Sequence, residues 1–106
     1  MVEVNWTELA ILDLNDSGEY ISKDSIRYAE ITVEKLFLST DILELNPFAG
    51  RVVPEFGTES IREIIKGNYR IVYRVVSENR IDILSAHHSK RLLSNNPILK
   101  GLFDEE

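Results

Sequence analysis

The alternation of apolar and polar positions changes period along the chain, and the changes mark its elements. Val2, Val4 and Trp6 alternate with Glu3 and Asn5, which predicts a short strand with one buried face. Thr7 follows as a helix N-cap. The segment "ELAILDLNDSGEYI" then sets Leu9 with Leu12, and Ala10 with Leu14, at helical spacing, while Gly18 weakens the end of that helix. Ser22 or Asp24 caps a second helix, in which Ile26, Ala29, Val33, Leu36, Phe37 and Leu43 recur at intervals of three, four and seven. Pro47 ends it, and "NPFAGRVVPEFGTES" reads as loop from its Pro and Gly content, with room for a short strand.

From Ile61 the period falls to two. "SIREIIKGNYRIVYRVVSENRIDILSA" predicts strands over 61–66, 69–76 and 80–86, joined by tight turns at "KGN" and "SEN". The fold class is therefore α+β: a helical hairpin packed on one face of an antiparallel meander, with the short N-terminal strand beside it. In the middle strand Tyr69, Ile71, Tyr73 and Val75 share the face expected to be core, and Arg70, Val72 and Arg74 share the other. The two guanidiniums then lie about 13 Å apart along the strand.

Composition narrows the class. The 106 residues, 43% hydrophobic, suit one globular domain spanning 1–106, with no repeat or linker dividing it. There is no cysteine, which excludes disulfides and thiolate metal sites, and no apolar run reaches the roughly 18 residues of a membrane span. Glu3 stands where a signal peptide carries positive charge, so a cytoplasmic location is expected. The net charge of −6 is polarised: residues 1–50 hold three basic against ten acidic side chains, residues 51–100 nine against five, and the end reads "DEE". The basic half is the half available to an anionic or acidic partner.

The candidate chemistry lies in that half. His87 and His88 are adjacent in a strand and point to opposite faces, so they cannot share a metal ion, and no HExxH or HxH spacing exists elsewhere. Counting ungapped through "SEN", Asp82 falls opposite Arg74 and pairs with it, Arg70 falls opposite Ala86 without such a partner, His87 turns to the core and His88 to the open face. One histidine is an apt proton shuttle, but no GxSxG elbow supports a serine nucleophile at Ser85 or Ser89. The stronger constellation is Arg62, Arg70, Arg74, Lys90 and Arg91, cations able to hold phosphates or an acidic partner from a rigid sheet.

These residues carry a resemblance. The order "W…A…DL…YI", "NPFAGRVVPEF", "IREI", "YRIVYRV", "IDIL" and "HHSKRLL", spanning residues 6 to about 93, resembles the RelE/ParE superfamily of toxins from type II toxin–antitoxin (plasmid stabilisation) modules. What the resemblance implies is a toxin domain neutralised by a cognate antitoxin, of one of two kinds. ParE-like members inhibit DNA gyrase; RelE-like members are endoribonucleases (mRNA interferases) that cut mRNA on the ribosome. The family arginine falls on Arg70, but the ribonuclease lysines fall on Ile61 and Glu63, and the terminal tyrosine on Asn95. The ending H-x-x-[KR]-x-L is met by His87, Lys90 and Leu92, or by His88, Arg91 and Leu93, and is closer to the ParE-like pattern. The resemblance thus favours a gyrase inhibitor without a cofactor. The alternatives are a ribonuclease acting through Arg70, His88 and Arg91, and a non-toxic binding module.

Overall fold

A computed structural model describes residues 1–89. Strand β1 (Glu3–Trp6) leads into helices α1 (Glu8–Ser22) and α2 (Ile26–Leu38), a 3-10 turn (Asp41–Glu44), and strands β2 (Arg51–Val52), β3 (Ile61–Lys66), β4 (Tyr69–Ser77) and β5 (Arg80–His88). The sheet order is β1-β5-β4-β3-β2, with β1 parallel to β5 and every other pair antiparallel. A parallel neighbour needs a long connection, and here the helical hairpin and strands β2, β3 and β4 all lie between β1 and β5 in the chain. Among the described residues no helix is long and apolar enough to cross a membrane.

Local signals set most boundaries. Thr7 accepts from the Ala10 amide as the N-cap of α1. The cap of α2 is Ser25, which accepts from the Tyr28 amide, and not Ser22 or Asp24; α1 runs through Ser22 itself. Nor does Pro47 end α2. The helix stops at Leu38, where the hydroxyls of Ser39 and Thr40 donate back to the carbonyls of Leu36 and Phe37 and compete with the helical ladder. The 3-10 turn then delivers Leu43 to the core.

The sheet buries apolar side chains on both faces. Ala10, Leu14, Leu36 and Leu43 meet Ile71, Tyr73, Ile81, Ile83 and Ala86 on the helix side. On the other side Val53, Ile61, Val72 and Leu84 form a second cluster, covered by Phe56 from the loop between β2 and β3. The buried Tyr73 hydroxyl donates to the Pro47 carbonyl and accepts from the Gly50 amide, and its burial raises its pKa. Gly50 passes so close that a Cβ there would lie 2.5 Å from the Glu63 carbonyl oxygen, which leaves glycine as the residue that fits.

The register of β4 on β5 contains two irregularities. Ser77 pairs with Arg80 across a two-residue turn, and bulged Val76 restores Val75 opposite Ile81, so Arg74 does face Asp82. Further along, Tyr73 pairs with Ile83 but Val72 with Ser85, leaving Leu84 as an extra residue in β5. Everything beyond that bulge changes face relative to an ungapped count.

Candidate functional site

Each arginine expected on the open face has a different environment. Because of the Leu84 bulge, Arg70 lies opposite His87, not Ala86, and it does not lack a partner. Its Nε donates to Glu63 at 2.6 Å, and its two terminal nitrogens grip Glu55 at 2.8 and 3.1 Å, a bidentate fork. Glu63 is fully buried and takes a second guanidinium, Arg51, at 2.6 Å. The side chain of Arg70 is only 12% exposed. Glu55 comes from a tight turn in which the amides of Phe56 and Gly57 both bond the Val53 carbonyl, with Pro54 at the corner and Gly57 at φ 63°. Arg70 holds the Glu55 carboxyl below its ordinary pKa, and Glu55 in turn raises that of Arg70.

The remaining cations do not join this cluster. Arg62 lies over the Phe48 ring and donates to the carbonyls of Glu59 and Gly50, a role in holding the loop. Arg74 faces Asp82 without forming the expected ion pair, because Asp82 binds Arg80 through two bonds and accepts from Asn5. Lys90 and Arg91 lie outside the described residues.

The histidines exchange faces. His87 lies across from Arg70, is buried, and contacts the Ser85 hydroxyl through Nδ1. That hydroxyl donates to Asp13 of α1, whose carboxylate also accepts the Ala86 amide at 3.1 Å. His88, expected beside Arg70, instead packs edge-on to Tyr69 on the helix side, with ring centroids 5.5 Å apart. A proton shuttle beside the Arg70 guanidinium is therefore not assembled from His88.

A groove of about 600 Å³ with a mainly apolar lining runs between α1 and α2. Its floor includes Leu14, Ala29 and Val33, with Ile26 and Phe37 at its ends and Glu19, Glu30 and Glu34 along its rim. Ile26 is 70% exposed, although its spacing had placed it with the core. Glu55 and Asp13 have no role in the reading of the sequence, and Glu63 enters it only as a position on which a ribonuclease lysine falls. Asp13 does carry a signal, since it stands on the buried Ala10–Leu14 stripe where a carboxylate needs partners.

A family model described as ParE toxin of type II toxin-antitoxin system, parDE, matches residues 4–93. Among solved structures, one titled "Chromosomal ParDE TA system from P. aeruginosa" superposes with a TM-score of 0.69 at 20% identity, covering 83% of this chain and 96% of that one. No curated protein matches the sequence.

Proposed function

Because this chain belongs to the ParE toxin family of type II toxin–antitoxin systems, we propose that it inhibits DNA gyrase and that its cognate antitoxin neutralises it by laying a helix in the groove between α1 and α2. The observation that carries the first half is the saturation of Arg70. Its guanidinium is taken up by Glu55 and Glu63, and Glu63 occupies a position where the ribonuclease branch is expected to bring a lysine. A buried carboxylate at that place repels a phosphodiester, and among the described residues the two guanidiniums beside it, Arg70 and Arg51, are both held by that carboxylate. This supports a toxin that acts by binding a protein target over one that cleaves mRNA on the ribosome.

The groove supports the second half. An apolar floor with glutamates on its rim fits an amphipathic helix whose apolar stripe is flanked by Lys or Arg. Of the five cations expected to hold phosphates or an acidic partner, Arg62 and Arg70 are engaged internally, and the attraction we assign to this groove runs from basic antitoxin flanks to toxin carboxylates.

A supercoiling assay with purified gyrase tests the target, beside sequencing of mRNA ends after expression without antitoxin. Inhibited supercoiling with intact mRNA is the expected result. Cut mRNA would return the ribonuclease reading, and no effect in either assay would leave the non-toxic binding module.

A further inference from the structure

We propose that the groove where the helical hairpin meets the β3–β4 turn binds a nucleotide unit, base on its tyrosines and phosphate on its lysines. The groove has two contiguous lobes, which share Tyr28, Thr32, Asn68 and Tyr69. The larger, about 620 Å³, is lined by the rings of Tyr20, Tyr28, Tyr69 and His88; the smaller, about 260 Å³, by Lys35 and Lys66. The larger lobe alone suits a small ligand, for which pockets of roughly 300–1,000 Å³ are usual.

Each lobe has a definite chemistry. Tyr20 and Tyr28 are 72% and 60% exposed, far beyond what the core requires, while the Tyr69–His88 pair presents an edge-to-face platform. Aromatic faces of this kind stack bases of any identity. Asn68 and Thr32 add amide and hydroxyl groups able to meet a base edge, and Asp16 an acceptor for its exocyclic amine. Two ammonium groups adjoin this surface in a chain of net charge −6, and that local reversal of sign selects an anionic ligand over a neutral peptide. The Leu84 bulge contributes directly, because it turns His88 onto this side of the sheet.

The shared chemistry leaves two sources, a free nucleotide or a nucleotide within a single strand, and the test separates them. AMP would be titrated into the isotope-labelled protein and followed by amide NMR, and a short fluorescent oligothymidylate would be followed by anisotropy at low and high salt. Shifts are expected at Asn68, Tyr69 and His88. Tyr20→Ala and Tyr28→Ala should each weaken binding roughly five- to tenfold, and Lys66→Glu by roughly tenfold, all with unchanged melting. A response to AMP alone assigns the site to a free nucleotide, and a response to the oligonucleotide, alone or with AMP, assigns it to a strand. No response to either probe, binding that ignores all three substitutions, or an antitoxin peptide occupying these amides without competition from nucleotides overturns the proposal. The gyrase assay on the same variants reads the target separately, so either reading can fail alone.

Discussion

Arg70 and His87 stand directly opposite one another across the β4–β5 ladder, on the face turned away from the helices. The pairing follows from the extra residue at Leu84, and it makes the adjacent histidines unequal. His87 is buried and linked through Ser85 to Asp13, so it ties the end of β5 to α1. His87→Ala is expected to destabilise the protein by about 1–3 kcal/mol, from lost packing and a disturbed buried polar chain. His88→Ala, at an exposed position, should change stability by less than about 0.5 kcal/mol. Urea denaturation of the two variants checks the order, and equal losses would contradict the assigned faces.

The buried carboxylate of Glu63 makes Arg70 a structural residue whatever else it does. Arg70→Met removes one of the two guanidiniums that neutralise Glu63, and the expected loss is about 2–3 kcal/mol, below the range for a wholly unpaired buried charge because Arg51 remains. Arg51→Met should lose less, since its side chain is largely exposed. Glu63→Gln in the Arg70→Met background should recover part of the loss. Thermal melts of the single and double variants measure the coupling directly.

Glu55 gives the cluster a pH dependence. Its folded-state pKa is depressed, chiefly by the Arg70 bond, so the stability it contributes is fully present above its unfolded value and is lost as pH falls through the lower folded value. The window is acidic, beginning near pH 4–5 and extending below it. Glu55 is partly exposed, which holds the contribution to about 1 kcal/mol or less. Stability curves of the wild type and Glu55→Gln should therefore converge as the acid limit is approached; a gap that stayed constant down to pH 3 would remove Glu55 as its source.

The elements were legible because their causes are local. Alternation marked β1, β3, β4 and β5, the 3.6-residue spacing marked both helices, and Thr7 announced its cap. What could not be read were features set by one residue more or less in a pairing. Val76 bulges beside a two-residue turn and Leu84 bulges in mid-strand; the first left Arg74 opposite Asp82 as counted, while the second exchanged the faces of His87 and His88. An alternating sequence carries no mark of such a bulge, because the extra residue, Leu84, is itself apolar and is buried in the second cluster on the opposite face of the sheet. The partners of Arg70 were hidden for a related reason. Glu55 reaches it from a loop whose path depends on Pro54 and Gly57, and no periodicity describes that path.

The exposed helical stripe is the feature most directly tied to the antitoxin. Ile26 opens α2, takes no part in either buried cluster, and stands at the end of an apolar groove rimmed by glutamates. Ile26→Glu therefore adds charge where an apolar side chain would be covered only in the complex. The folded toxin should melt within about 0.5 kcal/mol of the wild type, as surface substitutions usually do. Antitoxin affinity should fall by about 1–3 kcal/mol, the range for losing an apolar anchor and desolvating a carboxylate against a hydrophobic partner. In cells the consequence is specific: toxicity persists while co-expressed antitoxin no longer rescues growth. Glu34→Lys probes the rim in the same assay, and repulsion of basic antitoxin flanks should weaken binding most at low salt. Full rescue of both variants at wild-type antitoxin levels would move the antitoxin off this groove, because neither substitution touches the sheet or the arginine cluster.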